Sequence, residues 1–260
     1  TNVVRGVEDV CNIYDYNIIL CNTDSDAQKE LKYFNVFIEK QCDGILFIGK
    51  SLKDELINQI AISKIPVVLG ALTDSEDRIP SVSIDNEQAS YDLTMHLIEN
   101  GHKRIAFFDD EDETSFVGIE RKKGYKRALE SQGIAYRKEY VFDGKYSIKG
   151  GFDLMEELLK LEDLPTAVFA LNDEMALGAI RKLEEKGLKV PQDMSVAGFN
   201  NFTVSEWLTP SITTIAQPMY DIGALCARML IKMLDGHKDE VKSLYVPHKL
   251  IERESTSDIK

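Results

Sequence analysis

Four polar residues stand where apolar runs end or helices begin. Asn172 follows "TAVFA" (166–170) and Asn200 follows "MSVAGF" (194–199). Gln217 comes after "TTIA" and before Pro218, and Arg121 precedes "KKGY" near a helix start. Asn and Gln each offer a paired donor and acceptor, and Arg a fork of donors, a set that suits a small polar ligand such as a sugar. Each alone is an ordinary loop residue; the four together outline a cleft. Asp173, beside Asn172, is placed as a helix cap or first-turn acid, which accounts for it without a ligand.

A second constellation lies in "QPMYDIGALCARMLIKMLDG" (217–236). At helical spacing Arg228, Asp221 and Lys232 fall about 80°, 100° and 120° around from Tyr220. Ile222, Cys226, Met229 and Met233 form an apolar face opposite, and Ala224 and Ala227 keep the Tyr220 side flat. Pro218 suits the first helical turn. Like charges one turn apart repel by roughly 0.2–0.5 kcal/mol, and cations near the end suit the helix dipole. By spacing alone this is a solvated face or a docking face.

No motif of covalent or phosphoryl chemistry is present. There is no nucleophile elbow, Walker loop or G-x-G-x-x-G, and His96, His102, His237 and His248 are scattered. The chain therefore reads as a non-enzyme with no cofactor. Cys11, Cys21, Cys42 and Cys226 show no C-x-x-C spacing, so they read as buried free thiols rather than zinc ligands. "DDEDE" (109–113) reads as a solvated loop, and "NFT" (201–203) is a glycosylation sequon without meaning in a cytoplasmic protein.

The elements that must position these residues alternate in type. "NIILC" (17–21), "GILFI" (44–48), "IPVVLG", "SVSID", "RIAFF" (104–108), "TAVFA" and "MSVAGF" read as buried strands, with "YVF" (140–142) as a short one. Helical patterns lie between them, at 87–100, 118–132, 149–161 and 173–186 among others. One of these starts with a capping-box form, Ser25 before Gln28. Apolar strands separated by helices imply parallel sheets covered on both faces, an α/β fold. So many βα units imply two sheets, whose ligands would lie beyond the carboxyl ends of the strands. The chain opens inside a helical pattern, Val3, Val7, Val10, Cys11 and Tyr14, with no methionine, and is expected to continue upstream.

The 260 residues suffice for one large domain or two, and 43% hydrophobic content supports a sizeable core. No apolar run reaches the ~18 residues of a membrane span. A net charge of −13 argues against this chain gripping nucleic acid by itself. A reducing, cytoplasmic home fits the free thiols.

The run "NDEMALGAIRKLEEKGLKVPQDMSVAGFNN", followed by "TPSITTIAQP", strongly resembles the lac repressor family of bacterial transcription regulators. "RGVED", "CDGILFI", "SVSID", "LIENGHKRIAF" and "GYKRAL" extend the resemblance over nearly the whole chain. It implies a two-lobed periplasmic-binding-protein-like (type I) core, each lobe a parallel sheet flanked by helices. The N-terminal lobe would be 1–85 plus 218–244, and the C-terminal lobe 86–216 plus 246–257. It also implies an upstream helix-turn-helix for operator DNA, a hinge helix and a first strand that this chain lacks. Homodimers are expected, with contacts on helices 1–14 and 174–186.

Within the family, "DYNIILCNTD", "PTAVFALNDEMALG", "QPMYDIGA" and "VPHKLIERES" resemble regulators of carbon catabolite control in Gram-positive bacteria. That resemblance implies docking of the phosphocarrier HPr, phosphorylated on a serine, as corepressor. The role carries onto Tyr220, Arg228 and Lys232, with Asp221 as a polar neighbour and Lys249 where an Arg is expected. Arg and Lys one turn apart can hold a phosphate dianion by charge-assisted hydrogen bonds. Lys249 keeps the charge but loses the bidentate fork. The resemblance also makes Arg121, Asn172, Asn200 and Gln217 an effector cleft. Members that clasp sugars usually carry Asp where this chain has Asn200, which favours an anionic effector such as a sugar phosphate. Two alternatives stand: a small-sugar-responsive regulator with no protein coregulator, and an extracytoplasmic sugar-binding protein.

Overall fold

The computed structural model describes residues 2–237 and 243–259. The expected first lobe therefore includes a stretch, 238–242, outside the described residues. In chain order come α1 (Asn2–Ile13), α2 (Ala27–Glu39), β1 (Ile45–Ile48), α3 (Asp54–Ser63), β2 (Val67–Gly70) and β3 (Ser81–Ser83). Next are α4 (Asn86–Glu99), β4 (Ile105–Asp110), α5 (Phe116–Ser131), β5 (Val141–Gly144), α6 (Ile148–Leu158), β6 (Ala167–Ala170) and α7 (Asp173–Glu185). The last are β7 (Ser195–Ala197), α8 (Thr203–Trp207), β8 (Thr214–Ala216), α9 (Met219–Leu234), β9 (Leu244–Tyr245) and β10 (Lys249–Ile251). Contacts group the chain into two compact units. The first is Thr1–Ile84, Thr114–Val117 and Pro218–Pro247; the second is Asp85–Glu113, Gly118–Gln217 and His248–Lys260.

In the first unit a parallel sheet runs in the order β1-β2-β3-β9. Alternation along β2 sends Val68 to one face and Val67 and Leu69 to the other. Val68 and Val82 pack against Ile222 and Cys226 of α9, and α1 adds Val7 and Val10 against Ala227 and Ile231. On the other face Val67 and Leu69 join Phe34 of α2 and Leu56 of α3. Each such Val, Leu, Ile or Phe side chain contributes about 1.5–3 kcal/mol on burial.

Two local expectations are corrected. "NIILC" forms no strand: Ile18, Ile19 and Leu20 are exposed. A strand needs a partner for its backbone groups. β1 pairs with β2 on one side only, and an apolar groove of about 520 Å³ lies between its other edge and residues 17–20. The cap of α2 is Asp26 rather than Ser25. The Asp26 carboxylate accepts from the backbone N–H of both Gln28 and Lys29, while Ser25 sits at φ 57°.

The second unit holds a parallel sheet in the order β5-β4-β6-β7. Bridges Ala197↔Thr213 and Asn200↔Ala216 set β8 beside β7, and β10 pairs antiparallel with β8. Phe107 is the hub of the core, stacked on Tyr125 at 5.1 Å and edge-on to Phe169 at 5.0 Å. From β4 the chain moves outward to β5, then returns across β4 to β6 and β7. The carboxyl ends of β4 and β6 are thus the switch point where open α/β sheets take ligands.

Candidate functional site

Local sequence explains how the polar cluster at that switch point is built. Asn172 caps α7, its Oδ1 accepting from Met175 N–H at 2.7 Å. Arg121 projects from the α5 turn and is only 2% exposed. Its Nε donates to Asn86 Oδ1 at 3.0 Å, Nη1 to Leu171 O at 2.5 Å and Nη2 to Asn200 Oδ1 at 3.3 Å. The guanidinium lies 3.5 Å from the Phe199 ring centroid. Among the described residues no carboxylate forms an ion pair with it. Burial pulls its pKa below the ordinary value, with Tyr146 and Asp173 acting the other way.

Asn200 is the hub. Its Oδ1 also accepts from Gln217 Nε2 at 2.7 Å, and its Nδ2 donates to Tyr146 OH at 3.3 Å. Arg121, Asn200 and Gln217 are thus brought together. Asn172 is close in sequence to Leu171, but its acceptor is spent on the helix. Among the described residues, Asn172 Nδ2 and Gln217 Oε1 are buried with no hydrogen-bond partner. Sequence reasoning missed Asn86 and Tyr146. Tyr146 follows β5 and Asn86 follows "SVSID", so the rule that led to Asn172 and Asn200 could have found both.

In the first unit α9 begins at Met219, with Pro218 as its N-cap rather than inside its first turn. Ile222, Cys226 and Ile231 are buried, and Met229 and Met233 half-buried. Tyr220 is 43% exposed and donates to Asp9 Oδ2 of α1 at 2.8 Å. That carboxylate raises the Tyr220 pKa. Arg228 and Lys232 are exposed one turn apart. A depression of about 430 Å³ lies beside Arg228, lined by Tyr220, Asp221, Leu225 and Arg228 of α9 and by Asp9 and Ile13 of α1. Beside Tyr220, Ala227 is buried under α1, with Val7 and Val10. Lys249 belongs to the second unit, in β10 opposite Ala216, and is exposed.

The sequence model of the family described as "Periplasmic binding protein-like domain" matches residues 94–256. The chain is 41% identical to catabolite control protein A of Priestia megaterium over 254 residues, 98% of this chain and 76% of that protein. The chain belongs to the lac repressor (LacI) family. Within this family, the structure of transcription regulator CcpA of Lactococcus lactis superposes with a TM-score of 0.92 at 35% identity, covering 98% of this chain and 93% of that one. A LacI family transcriptional regulator of Enterococcus faecium with bound ribose superposes at 0.86 with 30% identity, covering 100% and 94%. The two-lobed α/β class is therefore that of LacI-family cores. Its relatives are transcription regulators, not enzymes, and the reading as an extracytoplasmic binding protein gives way to a regulatory one. Among the described residues no helix is long and apolar enough to cross a membrane, and no cluster of His, Cys, Asp or Glu could hold a metal ion.

Proposed function

We propose that this LacI-family chain is the cytoplasmic regulatory core of a carbon-catabolite-control regulator, and that α9 receives serine-phosphorylated HPr as corepressor. The observation that carries this is the exposed Arg228–Lys232 pair, of which Arg228 lines a depression flanked by Tyr220 and by apolar Ile13 and Leu225. The cations supply charge-assisted bonds to a phosphate, and the apolar rim supplies contact area for the carrier. Resemblance to catabolite control protein A supports the choice of partner. Acting as a homodimer, the regulator would grip operator DNA through a helix-turn-helix outside this chain. Phospho-HPr stabilises the DNA-gripping arrangement only as far as it prefers that state.

The test is calorimetric titration with HPr and with its seryl-phosphate form. Charged hydrogen bonds of about 1.5–3 kcal/mol should make the phosphorylated form roughly tenfold to a hundredfold tighter. Arg228→Glu should erase that difference. Equal affinity of the unaltered chain for both forms would remove the phosphate role.

A second reading concerns the Asn200 cluster: a small anionic metabolite, such as a sugar phosphate, as further effector. Arg121, buried with no carboxylate bound to it, favours an anion there. The ribose-bound relative supports the competing choice, a neutral sugar.

A further inference from the structure

Asn200 and Asn201 sit at φ 100° and 52°, two successive non-glycine residues in the left-handed region. Such backbone persists only where its surroundings over-determine it. Two backbone bonds help: Asn200 N–H donates to Ile215 O at 2.9 Å, and Asn201 N–H to Thr214 Oγ1 at 3.2 Å. The rest comes from two ionisable side chains, one at the start of α7 and one in the C-terminal segment.

Asp173, fully buried at the start of α7, accepts from Phe202 N–H at 2.6 Å and from the Thr214 hydroxyl at 2.6 Å. One carboxylate thus ties the residue after Asn201 to the strand beside it. Fit is close: a Cβ on Gly198 would stand 2.4 Å from Asp173 Oδ1. From the C-terminal segment, Arg253 Nη2 donates to Asn201 Oδ1 at 2.8 Å, and Nη1 to Ile212 O at 2.9 Å and Ser205 Oγ at 3.2 Å. Arg253 is itself fixed, its N–H donating to Thr213 Oγ1 at 2.9 Å. Neither charge touches the Asn200 side chain. Both hold its neighbours.

We propose that Asp173 and Arg253 are positioning residues that clamp 200–202 from two sides and so aim the Asn200 carboxamide at Arg121 and Gln217. The consequence for ligands rests on the reading of the Asn200 cluster as an effector site; the clamp does not. The acidic residue that looked like a plain helix cap in the sequence, and an arginine near the chain's end, thereby set the geometry of a cluster neither belongs to.

The test is side-chain amide NMR of the asparagine-labelled chain, with Asn172 as internal reference because its bond to Met175 lies outside the clamp. Arg253→Met should cost Asn200 its dispersed amide pair, while the Asn172 signals stay in place. Arg253→Lys, which can still donate to Asn201, should restore part of the dispersion. Asp173→Ala should act like Arg253→Met, and Asp173→Asn, which keeps an acceptor and a donor, should not. A purely structural role would lower the unfolding midpoint and leave the Asn200 signals where they are, and that result overturns the proposal. Where Asp173→Ala does not fold, Arg253→Met and Arg253→Lys decide it. Calorimetry with D-ribose and with glucose 6-phosphate forms a separate arm. A bound probe should lose at least tenfold in affinity in Arg253→Met. If neither probe binds the unaltered chain, the effector reading falls and the clamp stands or falls on the amide signature.

Discussion

The hydrogen bonds of Arg121 end on neutral oxygens, Asn86 Oδ1, Leu171 O and Asn200 Oδ1 among them. Taking a charge out of water is costly unless something neutralises it, so this guanidinium is a seat for an anion or a cost the fold carries. Asn200→Asp separates the two. An ionised Asp would accept the same bonds from Arg121 and Gln217, the first then a full ion pair and the second charge-assisted and roughly twice as strong. Stability should rise by about 1–2 kcal/mol, read as a shifted urea midpoint with unchanged slope. The left-handed φ is no obstacle, since Asp tolerates that region as Asn does. Affinity for glucose 6-phosphate should fall about tenfold, and affinity for D-ribose should hold or improve. Equal loss for both ligands would mean that the Arg121 charge does not select between them. Which residues met here was partly legible. Asn200 and Gln217 follow strands, and that placement alone located them. Asn172 carried the same signal, yet its oxygen serves α7, because an asparagine before a helix is also a favoured cap. Arg253 lay beyond any local rule: its partners at 201, 205 and 212 are fixed by the path of the C-terminal segment.

At the scale of elements, the contact that supports the candidate docking surface is the crossing of α1 and α9. A Cβ on Gly6 would stand 2.0 Å from Tyr220 O, and one on Gly223 would stand 2.1 Å from Val3 O. The two backbones touch, and glycine on each side permits it. Gly6→Ala gains about 1 kcal/mol of helix propensity. Overpacking at 2.0 Å costs more, about 1–3 kcal/mol, because the obstacle is backbone and cannot rotate away. The expected result is a net loss of up to about 2 kcal/mol in urea unfolding, with weakening of the Tyr220–Asp9 bond as α1 lifts. An unchanged midpoint would show that the helices part without cost. Sequence periodicity foretold both helices but not this crossing. It put Ala224 and Ala227 on a flat side near Tyr220 without telling that α1 covers Ala227. "NIILC" failed for a similar reason. Composition reports how well residues suit a strand, while a strand exists only when a neighbour supplies its hydrogen bonds.

At the scale of the whole molecule, the alternation of apolar runs and amphipathic stretches was enough to read two parallel sheets, because a strand buried on both faces must be apolar throughout. How the chain end braces the second unit was not readable, and pH exposes it. His102 is 3% exposed; its ring nitrogens meet Thr166 Oγ1 at 2.9 Å, and Ser195 Oγ and Ser257 O at 3.1 Å each. Burial holds its pKa below the ordinary 6.5. Between that lowered value and 6.5 the unfolded chain binds a proton that the folded one refuses. Stability from His102 is therefore present above pH 6.5 and lost as pH falls below it. Asp173 has the opposite sign. Burial pushes it up to about 7, against the bonds from Thr214 and Phe202 and the nearby Arg253 and Arg121. The folded state binds its proton first, so its contribution improves as pH falls from about 7 toward 3.8. The net charge of −13, with a pI near 4.9, relaxes over the same range, which also favours the folded state in mild acid. Total stability is thus a poor reporter, and a difference between variants is needed. His102→Gln keeps a donor and an acceptor but cannot gain a proton. Urea unfolding at pH 7.5 should show the glutamine variant less stable than the unaltered chain. By pH 5 that gap should narrow by up to about 1.4 kcal/mol for each unit of His102 depression. A gap that stays constant across the range would mean that His102 is protonated in the folded protein as readily as in the unfolded one, and that the C-terminal brace does not sense acid.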